Sequence, residues 1–158
     1  LPVGEVGELW ARGPMVVKGY WNRPEATAET FVAGWVRTGD LAKLDEEGWC
    51  YIVDRAKDMI IRGGENIYSS EIENVLYDHP AVTDAALIGL AHPTLGEEPA
   101  AVVHLAPGMS ATEDELREWV AARLAKFKVP VRVVFVEDTL PRNANGKILK
   151  KDLGAFFA

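Results

Sequence analysis

The texture of the apolar pattern changes near residue 57, and that break constrains the fold more than any other feature of the chain. Before it, short apolar runs such as Glu8-Leu9-Trp10-Ala11, Met15-Val16-Val17 and Trp49-Cys50-Tyr51-Ile52-Val53 are separated by glycine and proline turns. That punctuation predicts a β-meander. Pro24 to Phe31 interrupts it as a short helical turn, with Pro24 acceptable at a first helical position.

After residue 57, strand and helix alternate. Met59-Ile60-Ile61-Arg62 predicts a strand followed by Gly63-Gly64, and Ser70-Glu71-Ile72-Glu73 has the capping-box spacing of a helix running to about His79. Ile72, Val75 and Leu76 line its expected buried face. Strands are expected at 82–90 and 101–105, and a second capping box, Thr112 to Glu115, opens a helix over 113–126 with Leu116, Val120 and Leu124 on one stripe. A strand over 131–136 and a last helix over 149–157 complete a compact α+β domain of about a hundred residues. The expected division is 1–56 and 57–158.

Charge and composition narrow the function classes. A hydrophobic content of 48% supports a real core, and a formal charge of −7 argues against a nucleic-acid binder taken globally. Locally the sign reverses: from Arg123 to Lys151 there are eight bases against two acids. Such a stretch suits the phosphates of a small ligand, or is simply a solvated basic face. Cys50, the single cysteine, falls in an apolar run and reads as a buried strand residue rather than a nucleophile. The histidines 79, 92 and 104 have no zinc-ligand spacing. No membrane span, signal peptide or glycosylation site is visible, which suits a cytoplasmic protein. Leu1 stands inside Leu-Pro-Val-Gly-Glu-Val-Gly-Glu-Leu, so the chain reads as cut from something longer.

Three segments carry candidate chemistry. In Trp35-Val36-Arg37-Thr38-Gly39-Asp40, a glycine lets the backbone turn and Asp40 offers two oxygens that can accept from the vicinal hydroxyls of a ribose; the bland alternative is a turn aspartate. In Asp54-Arg55-Ala56-Lys57-Asp58, Arg55 can fork onto ribose or phosphate oxygens, or pair with Asp54 or Asp58. Lys57 is a domain hinge in one reading and an exposed linker residue in the other. Gly63-Gly64 is most economically a hairpin turn, and in a sharper reading bare backbone past which a narrow ligand runs. In Leu140-Pro141-Arg142-Asn143-Ala144-Asn145-Gly146-Lys147, Asn145-Gly146 is a strong turn signal that places Lys147 at a loop tip, where a cation stabilises charge developing on a transferring group; otherwise it is a solvated lysine. This is not a phosphate-binding P-loop, because Pro141 and Ile148 stand where that pattern needs glycine and Ser or Thr.

Taken in this order, and with Gly7-Glu8-Leu9 and Gly19-Tyr20 to Thr27, the three segments resemble the adenylate-forming superfamily of acyl-CoA synthetases, luciferases and peptide-synthetase adenylation domains over essentially the whole chain. The resemblance implies that residues 1–56 are the last β-subdomain of a large AMP-binding domain whose remainder, with the ATP phosphate loop and acid pocket, is missing. Residues 57–158 would be the mobile C-terminal domain. It implies a two-step reaction: a carboxylate and ATP give acyl-adenylate and pyrophosphate, and the thiol of CoA then displaces AMP. Asp40 and Arg55 would hold the AMP ribose, Lys57 would be the hinge, and Lys147 would serve adenylation. Gly63 and Gly64 would border the pantetheine of CoA after rotation. Mg2+ would accompany ATP, with its ligands outside this chain.

The resemblance departs at two points. Where some CoA ligases carry an arginine for the CoA nucleotide, this chain has Val129, leaving Lys126, Lys128 or Arg132 to supply that charge. The hinge is lysine where many relatives have aspartate. Asp58 to Tyr68 and Leu95-Gly96-Glu97-Glu98-Pro99 look most like synthetases of fatty or related acids. A fatty acyl-AMP ligase that does not use CoA is the nearest rival, and a non-catalytic stand-alone module the rival from another class. By itself the chain is expected to be inactive.

Overall fold

The computed structural model describes residues 1–158, which fall into two units, Leu1–Lys57 and Asp58–Ala158. No helix in it is long and apolar enough to cross a membrane.

The first unit is organised around one long strand. Its elements are β1 (Gly7–Ala11), α1 (Pro24–Thr30), β2 (Phe31–Val32), β3 (Trp35–Leu44) and β4 (Cys50–Arg55). All pairings are antiparallel. Leu41 of β3 is opposite both Glu8 of β1 and Asp54 of β4, so β1 runs along one edge of β3 while β2 and β4 share the other. The β2–β3 turn places Ala33 and Gly34 at φ of 51° and 81°, the two positive values of a tight hairpin turn matched to strand twist. Pro24 begins α1, and Thr27 fastens the preceding loop by accepting from Tyr20 N at 2.9 Å and donating to Arg23 O at 2.7 Å.

Two expectations fail in this unit. Met15-Val16-Val17 is a turn, closed by Val16 N on Gly13 O, because no strand lies beside it to pair with. Cys50 is exposed. With Tyr51 and Ile52, also exposed, it belongs to the start of β4, which no second layer of this unit covers, and Trp49 just before the strand is exposed too.

The second unit is a five-stranded sheet with its two α-helices on one face. It comprises β5 (Ile60–Arg62), β6 (Glu65–Ile67), α2 (Ser69–Tyr77), β7 (Val82–His92), β8 (Gly96–Leu105), α3 (Glu113–Ala121), a 3₁₀ turn (Lys126–Lys128), β9 (Arg132–Val136) and a closing 3₁₀ helix (Lys150–Phe157). The long β7–β8 hairpin is its spine. On the free edge of β8, β9 pairs in parallel at Ala100–His104, and β5 pairs at Gly96. Ile72 and Leu76 of α2 and Leu116 and Val120 of α3 are fully buried against Ala85, Leu87, Ala101 and Val103. The opposite face carries a smaller cluster of Ala86, Val102, Leu140 and Leu153, so the segment after β9 is pinned to the sheet by its own apolar residues.

The Thr112–Glu115 capping box forms with both hydrogen bonds in place. The one expected at Ser70–Glu73 does not: the cap residue is Tyr68, without a side-chain bond. Its acid has another use, since Glu73 accepts from Leu87 N at 2.7 Å and pairs with Lys150 at 2.7 Å. The helix after Thr112 stops at Ala121 instead of 126, because Leu124, Phe127 and Val129 fold back onto the same core, which a straight helix would leave behind.

Candidate functional site

Asp40 and Arg55 are brought together by strand register. They sit opposite each other on β3 and β4, and Arg55 Nε lies 3.1 Å from Asp40 Oδ1. The Nε–H does not point along that line, so the contact is an ion pair without a good hydrogen bond. Gly39, at φ 73°, kinks β3 immediately before Asp40, and Ala56 N donates to Gly39 O at 2.8 Å to continue the ladder. Thr38 Oγ1 accepts from Asp40 N and donates to Leu9 O, tying the aspartate's backbone to β1. Both side chains remain accessible, at 27% for Asp40 and 39% for Arg55. The guanidinium therefore pairs with Asp40 rather than with either neighbour considered from sequence, Asp54 or Asp58. Asp54 is instead buried and accepts from Arg55 N. Lys57 is exposed, in the turn that ends the first unit.

Lys147 stands within a braced hairpin. Arg142 and Ile148 pair across it, Gly146 N closes the turn on Asn143 O at 2.9 Å, and Asn143 Oδ1 accepts from both Asn145 N and Lys147 N. Gly146, at φ 78°, takes the left-handed position such a loop requires. The lysine is exposed and its ammonium has no hydrogen bond or ion pair.

Lys126 and Lys151 share that isolation, while the other bases of the segment are engaged. Lys128 pairs with Glu71 at 2.6 Å, Lys150 with Glu73, and Arg142 with Asp84 at 2.7 Å, while Arg132 donates to Phe157 O and Arg123 lies on the Trp119 ring. Much of the basic excess counted from sequence is thus spent inside the fold. Among Lys126, Lys128 and Arg132, Lys126 is the one left without such a partner.

Sequence reasoning gave Arg142 and Asp84 no role. Asp84 is 3% exposed. Arg142 Nη2 donates to its two oxygens at 2.7 and 2.8 Å, Tyr77 Oη donates to Oδ1 at 2.7 Å, and Leu140 N donates to Oδ2 at 3.3 Å. Burial alone would push the Asp84 carboxyl up, but the Tyr77 hydroxyl and the Arg142 guanidinium outweigh it and hold the group below the usual carboxylate range. Burial, and then donation to Asp84, raise the Tyr77 phenol. The available signal was an aspartate inside the apolar run 82–90.

Gly63 and Gly64 form the β5–β6 turn at φ 59° and 91°. Gly63 N donates to Leu95 O at 2.8 Å, and a Cβ on Gly63 would come within 3.3 Å of Leu95, whereas Gly64 faces open space. Lys147 and this turn are not brought together. The Lys147 hairpin hangs from Asp84, the glycine turn from Gly96, and the eight residue steps of β7 from Asp84 to His92, the partner of Gly96, span about 25 Å.

Residues 71–147 match the family of AMP-binding enzyme C-terminal domains. The chain is 51% identical over 153 residues to a feruloyl-CoA synthase of Amycolatopsis sp and 50% identical over 149 residues to the 2-succinylbenzoate–CoA ligase of Geobacillus kaustophilus, covering 97% and 94% of this chain. It spans 31% and 30% of those relatives' lengths. Among solved structures, o-succinylbenzoate CoA synthetase from Bacillus subtilis, in complex with its acyl-adenylate intermediate, superimposes with a TM-score of 0.88 at 43% identity, over 97% of this chain and 31% of that one. The amide bond synthetase McbA from Marinactinospora thermotolerans does so with a TM-score of 0.90 at 41% identity, over 100% and 32%.

Proposed function

This chain belongs to the AMP-binding, adenylate-forming enzymes through their C-terminal domain, and we propose that it is the C-terminal portion of one that activates a carboxylic acid with ATP and passes the acyl group to CoA. The observation that carries the reading is Lys147: an exposed, unpaired ammonium held at a turn that Asn143 and Arg142 brace from within and Asp84 anchors. In the adenylation step Lys147 contacts the acid carboxylate and the α-phosphate, where negative charge shifts as the phosphorus–oxygen bond to pyrophosphate breaks. Asp40, whose Oδ2 has no protein donor, accepts from the ribose hydroxyls, and Arg55 lies beside it.

The second step uses the other end of the small unit. Lys147 and Gly63-Gly64 stand at opposite ends of one hairpin, which supports a rotation about Lys57 that withdraws the lysine and presents the glycine turn to the pantetheine of CoA. Mg2+ accompanies ATP through groups outside this chain.

The acid is left as a carboxylic acid, fatty or aryl. The fatty-acid expectation from sequence gains no support from relatives named for 2-succinylbenzoate and feruloyl-CoA. A second acceptor class has one observation in its favour, the likeness to an amide bond synthetase. The deciding experiment gives the full-length parent a panel of fatty and aryl acids, with CoA or an amine as acceptor. Lys147→Ala should lower adenylation by ~10²–10³-fold. Gly64→Leu should spare adenylation and block thioester formation from preformed adenylate. Adenylate that reacts with amines and never with CoA would replace the CoA reading with the second.

A further inference from the structure

The β7–β8 hairpin carries a half-buried or buried carboxylate near each end, one bonded to the arginine that braces the Lys147 loop and the other to the strand that leads into the glycine turn. At the open end, the chain leaving β9 passes beside His104, whose Nδ1 lies 3.1 Å from Val136 O, and the next residues are caught by Asp84. The Asp84 carboxylate holds Leu140 N and Arg142 Nη2, and the other guanidinium nitrogen, Nη1, donates to Gly146 O at 2.8 Å. One arginine thus bridges a buried strand carboxylate to the carbonyl directly before Lys147. A charge-assisted pair of this kind fixes direction as well as distance.

At the closed end, Glu97 Oε2 accepts from Ile61 N at 3.0 Å, two residues before Gly63. The carboxylate reaches that amide by lying across Gly89, where a Cβ would come within 2.8–3.2 Å of its carboxyl atoms. His92 Nδ1, accepting from Leu95 N at 3.1 Å, braces the hairpin turn whose Leu95 carbonyl holds Gly63 N. Glu98 adds an ion pair to Arg62 at 3.1 Å.

We propose that this hairpin is a two-ended mount: Asp84, acting through Arg142, positions Lys147 for adenylation, and Glu97, seated over bare Gly89, positions the Gly63-Gly64 turn for thioester formation. All four are positioning residues. The inference rests on the two-step reading above and adds that each half-reaction is supported by its own carboxylate.

The test uses the full-length parent with Asp84→Asn, Glu97→Ala, Glu97→Gln and Lys147→Ala. Adenylation is read by ATP–pyrophosphate exchange and thioester formation from synthetic acyl-adenylate, with hydrogen exchange at 143–147 and 61–65 as a readout independent of activity. Asp84→Asn should cut adenylation roughly 10- to 100-fold, the scale of a small misplacement of a reacting group, speed exchange at 143–147, and leave thioester formation within about twofold. Glu97→Ala should do the reverse, and Glu97→Gln, which keeps an acceptor oxygen, should restore most of the loss. Both half-reactions falling together in either variant, or unchanged exchange in the loop concerned, overturns the proposal. If Lys147→Ala is crippled in adenylation and Asp84→Asn is not, the two-step reading stands and the mount falls. If Lys147→Ala is itself silent, the reading falls and the positioning role falls with it.

Discussion

The Asp40–Arg55 and Asp84–Arg142 pairs are made of the same two side chains and differ in almost everything else. Asp40 is 27% accessible and meets its arginine through one oxygen at 3.1 Å in poor hydrogen-bond alignment. The Asp84 side chain is 5% accessible and uses both oxygens on Arg142 at 2.7 and 2.8 Å, with a tyrosine hydroxyl and a backbone amide completing its shell. An exposed pair contributes little to stability, so its members can exchange partners with a ligand at small cost. Arg142 is 41% accessible, much like Arg55, so the contrast lies in the carboxylate: the buried Asp84 cannot lose its arginine without being left a poorly compensated charge. The difference separates a carboxylate that keeps an accessible oxygen from one committed to structure, although each is an aspartate paired with an arginine.

The sharpest break of this comparison is functional. In the full-length parent, Asp40→Ala should lower ATP–pyrophosphate exchange by ~10²-fold, as loss of a substrate-orienting contact does, while the melting temperature of the 158-residue chain stays within a few degrees. A melting point that collapses with activity intact would assign Asp40 to structure instead. Next in size is the arginine contrast. Arg142→Ala should destabilise the chain by about 2 kcal/mol, less than a fully buried broken pair because Tyr77 and Leu140 N still serve Asp84, whereas Arg55→Ala should cost under about 1 kcal/mol. Thermal denaturation of the two variants side by side checks this, and equal losses would erase the distinction.

Much of the fold was legible because local signals and tertiary packing agree. The Thr112 box, the stripe of Ile72 and Leu76 and the glycine turns all form where spacing puts them. The misses share one cause, a side chain engaged by something distant in sequence. Glu73 has the spacing of a cap and spends its carboxylate on Leu87 N and Lys150. Arg55 has two acids near it in sequence and pairs with one fifteen residues away, across a strand register that a short-range reading does not fix. Cys50 reads as buried because apolar runs usually are, but the first three residues of β4 are exposed on both faces of the sheet. At the candidate site, Lys147 and the glycines carry turn signals of their own, but Asp84, Arg142 and Glu97 acquire their roles only through contacts spanning 58 residues for the first pair and 36 for Glu97 and Ile61.

Protonation offers a gentler probe of the buried carboxylate. The folded-state pKa of Asp84 is depressed, so its contribution is present above the unfolded carboxylate value and is lost as pH falls through the lower folded value. Tyr77 runs the other way: its raised pKa means its contribution is complete below the ordinary phenol value and is lost as pH rises past it. The stability gap between the chain and Asp84→Asn should therefore be flat from about pH 5 to about pH 9, narrow below about pH 4, and narrow again above about pH 10. Denaturant titrations across that range measure it. A gap already closing near pH 6 would mean the carboxyl is raised by burial rather than held down by its partners.

The smallest expected effect asks whether the exposed pair has any positioning of its own. Thr38 Oγ1 bridges Asp40 N to Leu9 O, so Thr38→Val removes an acceptor and a donor at a half-buried site, with a cost of about 1 kcal/mol. If β3 register alone places Asp40, the KM for ATP in the full-length parent should stay within about twofold while stability drops. If instead the threonine aims the carboxylate, KM should rise several-fold with kcat little changed, since binding would be weakened equally in ground and transition states. The first result is favoured by the ladder itself: Asp40 is fixed opposite Arg55, and Ala56 N holds Gly39 O directly before it, both independently of the Thr38 hydroxyl.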